Sequence, residues 1–514
     1  MTARTLMVQG TFSSAGKSLL VAALCRIFAR RGVRVAPFKS QNMSNNAAVC
    51  ADGAEIGRAQ AMQAAAAGIE PTCDMNPILL KPEAQARSQV IVSGRPWKTL
   101  PARGYYAYRD ELWPVITSAL DRLRSQFDLV VIEGAGSPAE LNLRGCDMAN
   151  MAVARYARAP VLLAGDIDRG GVFAQLLGTL DLLEPEERRC VRGLIVNKFR
   201  GDRSLFDDGV RILEERGRVP VLGVVPYLPA LAIPEEDSAG LIPSASYRDI
   251  VANGNGQLDI AVIRLPCIAN FDDFDPLAAE PGVRLRYVES VAALGQPAAV
   301  IVPGTKSTMA DQRWLEEQGL ADAIRQLAAN GTAVVGICGG YQILGRVIRD
   351  PHEVESSTGQ WPGLGLLPVE TTFAQSKSTS QVEAEVLSGP AWLSNLRGTA
   401  LAGYEIHMGR TTSEQPWLAM KRAGESLESI VDGAISHDGR VWGCYLHGLF
   451  ANDQFRRAWL ASLDPPHAAD QASTAVDQNT STARFHGALD RLADAVEQAL
   501  DMQRLETILA EGIQ

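Results

Sequence analysis

Gly10-Thr11-Phe12-Ser13-Ser14-Ala15-Gly16-Lys17-Ser18 decides the fold of the first half of the chain. The short apolar run Arg4 to Gln9 enters it. Leu19, Leu20, Ala23, Leu24 and Ile27 follow it at helical spacing, and Val33–Pro37 reads as the next strand. This β-loop-α-β opening is the start of a parallel α/β sheet. In that context a Gly-rich loop ending in Gly-Lys-Ser turns its backbone N–H groups toward phosphate oxygens, and the helix N-terminus adds its positive end. Thr11, Ser14, Ala15, Gly16, Lys17 and Ser18 are therefore the candidate ATP-binding residues. Lys17 would reach the terminal phosphates, and the Ser18 hydroxyl would sit on Mg2+. The usual first glycine of such a loop is replaced here by Thr11.

Further along, Leu129–Ile132, Val161–Ala164, Gly193–Val196 and Val221–Val224 are short apolar runs separated by helical patterns. Strands buried on both faces of a parallel sheet read this way. Ligands bind at the carboxyl ends of such strands. An acid there is ordinarily a solvated loop residue, but beside a phosphate loop Glu133 reads as a metal ligand, with Asp52 a second candidate. Magnesium needs only one or two carboxylates beyond phosphates and water. Lys39, after the second strand, would offset charge on a carboxyl group being phosphorylated. Asp147 and Asp166 could position that acceptor or the metal, or serve only as helix caps.

Residues 229–257 accumulate Pro, Ser, Gly and Asn, a linker composition. A second α/β set begins at Leu258–Ile263 and continues with Ala298–Val302 and Ala333–Ile337. The stretch 361–410 alternates as antiparallel strands do. Residues 465–482 read as loop and 483–509 as a docked helix. The expected division is thus 1–228, a linker 229–257, 258–455 and a tail 456–514. In the second set, Gly336-Ile337-Cys338-Gly339-Gly340 follows an apolar strand and precedes a helix. It is the cysteine version of a nucleophile elbow. The N–H groups of Gly339 and of Gly304, in the loop after another strand, are the candidate oxyanion donors. Of the six histidines, His447, after an apolar strand, is the candidate base. His407 is equally readable as a structural residue.

With 514 residues, about two to four domains are expected. Lys plus Arg is 49 against 59 Asp plus Glu, a net charge of −10. This argues against a nucleic-acid coat or a binder of anionic membranes. None of the eight cysteines forms a C-x-x-C pair, and none of the apolar runs approaches the ~20 residues of a membrane helix. A reduced, soluble, cytoplasmic protein is expected, with homo-oligomerisation left open.

The chain also carries a resemblance. The phosphate loop is similar to the variant of dethiobiotin synthetase and its amidoligase relatives. "PFKSQNMSNN", "DGAEIGRAQAMQA", "EGAGSPAELNL", "GDIDRGGVFAQL", "PGTKST", "GICGGYQILG", "GYEIHMGRT" and "CYLHG", in this order over residues 4–455, resemble the cobyric acid synthases of cobalamin biosynthesis. The resemblance implies two α/β domains, an N-terminal P-loop NTPase-like amidoligase and a C-terminal class I glutaminase. It implies ATP- and glutamine-dependent amidation of the b, d, e and g carboxylates of adenosylcobyrinic acid a,c-diamide. Cys338 and His447 match the glutaminase pair. Asn197 matches a place where relatives contact adenine. Class I glutaminases usually carry Glu two residues after the base; here that position is Leu449, and Glu405 or a backbone carbonyl is left to orient His447. The sibling cobyrinic acid a,c-diamide synthase, an amidotransferase of a cell-wall lipid precursor, and a nucleotide switch without catalysis are the alternatives.

Overall fold

The computed structural model describes residues 2–83, 87–229, 231, 233, 257–387, 389–424, 429–463 and 480–513. The linker expected at 229–257 lies, but for residues 229, 231, 233 and 257, outside the described residues, as does most of the loop expected at 465–482.

The first sheet has six parallel strands: β1 (Arg4–Gly10), β2 (Val35–Phe38), β3 (Leu129–Glu133), β4 (Val161–Asp166), β5 (Val191–Phe199) and β6 (Val221–Pro226). Their order is β6-β5-β4-β1-β3-β2. Helices α1 (Lys17–Arg30) and α2 (Arg58–Ala67) lie between β1 and β3 in the chain. The carboxyl ends of β1, β2 and β3 lie side by side and form the edge at which a ligand would bind.

Between β2 and β3 the chain inserts a second layer that the sequence reading missed. It contains a four-stranded sheet of Gln41–Met43, Ile78–Glu83, Arg87–Val92 and Arg95–Pro101, and a hairpin pairing Ala47–Val49 with Glu55–Gly57. These strands are short, and three of them cover only three residues each. Alternation over so few positions leaves no period to read.

The second domain contains β7 (Leu258–Ile263), β8 (Val283–Val288), β9 (Ala299–Val302), β10 (Ala333–Ile337), β11 (Glu370–Val386), β12 (Ala400–Thr412), β13 (Ala434–Ile435) and β14 (Val441–Cys444). Its central sheet runs β8-β7-β9-β10-β14-β13, parallel except for the last pair. The expected antiparallel stretch is there as the long β11–β12 pair in a separate sheet. The short helix α3 (Gly339–Leu344) follows β10.

The tail forms α4 (Ser481–Ala499) and α5 (Met502–Glu511), and it packs on the first domain. Leu489, Leu492, Val496 and Leu505 share one apolar core with Leu20, Val21 and Leu24 of α1. Arg26 donates to both oxygens of Asp490 at 2.8 and 3.1 Å. No helix of the described residues is long and apolar enough to cross a membrane.

The two domains meet across the inserted layer. The Ala47 N–H donates to Asn270 Oδ1 at 3.0 Å, and Lys306 pairs with Glu83 at 2.8 Å. Glu55 is buried between Lys81 (2.5 Å) and Lys377 of β11. Burial alone would raise the Glu55 pKa, but the two ammonium groups outweigh it and hold the carboxyl down at about 2. A carboxyl depressed in the folded state stabilises above its unfolded pKa, and that stability is lost as pH falls from about 4.5 toward 2. Glu55→Gln would leave two buried lysines without a counter-charge. It is expected to cost about 3–5 kcal/mol in a denaturant titration at pH 7.

Candidate active site

The thiol site is built by three strand ends. All five residues of β10 are buried, and Cys338 follows at φ 51°, ψ −109°. Such backbone is costly for a residue with a side chain and persists only where the surroundings enforce it. Here they do: a Cβ on Gly340 would lie 1.8 Å from the Val302 carbonyl oxygen. The glycine lets α3 press against the end of β9. The loop after β9 brings Gly304 to the thiol, since a Cβ there would lie 3.8 Å from Cys338 Cβ and 3.1 Å from His447 Cε1. Gly339 is the next residue after the thiol. Both oxyanion candidates therefore flank Cys338.

His447 lies three residues beyond β14 and is buried. Its Nδ1 is 2.6 Å from Asp273 Oδ2, and the other Asp273 oxygen accepts from the Gly448 N–H at 2.8 Å. The ring and the Cys338 thiol line the same cavity, and the thiol lies 3.5 Å from the Ile406 carbonyl oxygen. With Nδ1 engaged by a carboxylate, Nε2 is the nitrogen left for proton transfer. Burial alone would lower the His447 pKa, but Asp273 and Cys338 outweigh it and push it up to about 10. The imidazole is thereby held protonated, the partner a thiolate nucleophile needs. Tyr404 of β12 stacks on the ring at 5.2 Å and exchanges two backbone hydrogen bonds with His447, of 3.2 and 2.8 Å.

Asp273 is the orienting acid that the sequence reading missed. Leu449, in the usual position of that acid, is buried and apolar. Glu405 does not serve: it accepts from His407 Nε2 at 3.1 Å and from Arg422. His407 also bonds the Gly409 carbonyl through Nδ1 at 2.8 Å and stacks on Tyr445 at 3.8 Å. The available signal was the doublet Asp272-Asp273, in the 3-10 turn Phe271–Phe274 that follows β7, whose carboxyl end lies at the same edge as that of β10. A cavity of about 50 Å³ opens at the thiol, lined by Cys338, His447, Gly304, Gln342, His407 and, from the first domain, Lys81.

The phosphate loop joins β1 to α1. Gly16 takes φ 92°, and a Cβ on it would lie 2.2 Å from Asn197 Nδ2. Asn197, in β5, donates to the Ala15 carbonyl at 2.9 Å. Lys198 reaches the Ser14 carbonyl at 2.8 Å and pairs with buried Asp166 at 2.9 Å. Lys17 Nζ donates to the carbonyls of Phe12, Ser13 and Gly136 at 2.9–3.1 Å. At the end of β3, Glu133 is buried and accepts from Ser18 Oγ (2.8 Å), Lys39 Nζ (2.9 Å) and Gln63 Nε2 (2.5 Å). Ser18, Lys39 and Gln63 thus converge on Glu133, while Lys17 is turned to loop carbonyls.

Two acids stand elsewhere. Asp52 is at the exposed tip of the hairpin 47–57, accepting from the Ala54 N–H at 3.0 Å in its own turn. Asp147 accepts from the N–H groups of Ala149, Asn150 and Ala152, each at 2.8 Å, and so caps the helix Met151–Ala157. Asp166 acts on the loop through Lys198. Among the described residues, no group of three or more His, Cys, Asp or Glu side chains could hold a metal ion. The Ser18 hydroxyl and a Glu133 carboxylate 2.8 Å apart still suit magnesium, a hard cation that takes its remaining oxygens from phosphate and water.

Residues 6–240 match the family described as "CobQ/CobB/MinD/ParA nucleotide binding domain", and residues 259–455 that described as "CobB/CobQ-like glutamine amidotransferase domain". The chain is 56% identical over 514 residues to a cobyric acid synthase of Chloroflexus aurantiacus, covering 99% of this chain and 100% of that one. It is 57% identical over 466 residues to that of Roseiflexus castenholzii, covering 90% and 92%. It is 53% identical over 515 residues to that of Herpetosiphon aurantiacus, covering 100% of both. A nucleotide domain, a glutaminase domain and this identity along the full length make the chain a member of the cobyric acid synthase family of glutamine amidotransferase ligases.

Proposed function

We propose that the protein amidates the b, d, e and g carboxylates of adenosylcobyrinic acid a,c-diamide to give adenosylcobyric acid, using one ATP and one glutamine per amide. The observation that carries this reading is the pairing, in one chain, of Cys338, His447 and Asp273 at one cavity with a phosphate loop whose Ser18 bonds Glu133, itself paired with Lys39.

The Cys338 thiolate attacks the side-chain amide carbon of glutamine. The oxyanion that forms rests on the N–H groups of Gly339 and Gly304. His447 gives its proton to the leaving nitrogen, ammonia departs, and a thioester remains. His447, now neutral, draws a proton from water, which releases glutamate and restores the thiolate. In the first domain, a carboxylate of the corrinoid takes the γ-phosphoryl group of ATP, because its oxygen is otherwise a poor leaving group. Lys17 and Lys39 offset the charge of phosphate and carboxylate as they approach. Ser18 and Glu133 would hold Mg2+, which would offset the charge of the phosphates. Ammonia attacks the acyl phosphate, inorganic phosphate leaves, and the amide forms with loss of a proton.

Lys17→Ala is expected to lower ATP-dependent amidation by about 10³-fold or more. The thioester at Cys338 still forms, and mass spectrometry of the trapped protein reads it. The reading as a whole is tested with purified protein, the adenosylated diamide, MgATP and glutamine. Stepwise addition of four amides, dependent on both ATP and glutamine, is the expected result. An unchanged corrinoid despite glutamate release would move the reading to another carboxylate.

A further inference from the structure

Helix α2 touches both active sites. Near its middle, Gln63 Nε2 donates to Glu133 Oε2 at 2.5 Å and to the Ser18 carbonyl at 3.2 Å. Its first residue, Arg58, reaches into the other domain. There the guanidinium pairs with Asp272 and donates to Tyr404 Oη at 3.3 Å, lying 5.4 Å from the centre of that ring. Asp272 precedes Asp273, which holds His447, and Tyr404 is the ring stacked on His447. Arg58 therefore meets the catalytic histidine by two routes without lining the cavity at Cys338.

Two adjacent carboxylates, 6% and 4% exposed, repel each other where little water screens them. A cation on Asp272 offsets that repulsion, and Asp273 keeps its contact with His447. Five residues of helix separate Arg58 from Gln63, an axial rise of about 7.5 Å. A helix transmits a displacement at one end to the other with little loss over that distance.

We propose that α2 couples the two sites, with Arg58 as a positioning residue that holds Asp273 and Tyr404 against His447 from the nucleotide domain. MgATP engages Ser18 and Glu133, so it alters what Gln63 is bound to, and the change reaches Arg58 at the head of the helix. The inference rests on the amidotransferase reading but not on which carboxylate is the acceptor.

The test follows glutamate release by the full-length protein with and without a non-hydrolysable MgATP analogue. In the wild type the analogue is expected to change the rate by about 5-fold or more. In Arg58→Gln, kcat for glutamine is expected to fall by about 10–100-fold with KM held within about twofold, and the response to the analogue is lost. Affinity for a fluorescent ATP analogue remains at the wild-type value, which reports an intact first domain. A wild-type kcat in the variant, a change confined to KM, or a wild type indifferent to the analogue overturns the proposal. If Arg58→Gln loses nucleotide binding too, Asp272→Asn removes the same ion pair from the other side. An unaltered kcat there overturns the proposal equally. Failure of the corrinoid reading would show instead as absent product in the wild type, with glutamate release still readable.

Discussion

Cys338→Ala is expected to lower glutamine-dependent amidation by about 10⁴-fold or more while amidation driven by concentrated ammonium salt stays near the wild-type rate. The thiol is the only group at the elbow able to form a bond to the glutamine carbonyl carbon. It sits at φ 51° because Gly336, Gly339 and Gly340 let the chain turn there. Alanine keeps that turn, since it too carries a Cβ, so the variant removes the sulfur and little else. The phosphate loop, Lys39 and Glu133 lie in the other domain and keep their contacts. Parallel assays of glutamate release, with glutamine, and of corrinoid mass, with ammonium chloride, read the two halves separately. Loss of both activities in a folded protein would sink the division of labour between the domains.

Asp273→Asn is expected to reduce kcat for glutamine hydrolysis by about 10²–10⁴-fold. The carboxylate accepts from two donors, His447 Nδ1 at 2.6 Å and the Gly448 N–H at 2.8 Å. An amide has one oxygen and one NH2 in those places, so one of the two donors faces another donor. The ring then loses both the acceptor that fixes its orientation and the charge that favours its protonated form. Asp273 is among the groups that push the His447 pKa up to about 10, so a neutral amide brings it down. The alkaline limb of the pH–rate profile for glutamate release should therefore move to lower pH. An alkaline limb that stays in place would show that another group holds the proton on His447.

The legible parts of the molecule were those whose information is local. Each parallel strand is a short apolar run followed by a turn; Leu258–Ile263 and Ala333–Ile337 were readable as such, and Val161–Ala164 proved two residues short of a strand that runs on to Asp166. The elbow was readable because a strand, a small-residue turn and a helix follow one another around Cys338. Lys39 follows β2 and Glu133 ends β3, and the strand order β1-β3-β2 puts both at the edge of the phosphate loop. What escaped depends on contacts between distant residues. Asp273 and His447 are 174 residues apart, and their loops approach only when the sheet of the second domain forms. Asp52 looked like a metal ligand by its neighbours, yet the hairpin between 47 and 57 carries it to an exposed tip. Asp147 and the cap it makes are indistinguishable from a catalytic loop acid until the helix behind it is seen.

The docking of α4 and α5 on the first domain has a consequence for how the molecule is made. Arg26 and its partner Asp490 are separated by 464 residues. At elongation rates of about 5–20 residues per second, roughly 25–90 s pass between the synthesis of one and of the other. Throughout that interval the outer apolar face of α1 has no partner from the tail, while the entire glutaminase leaves the ribosome and can fold. The domain synthesised first is thus the one finished last.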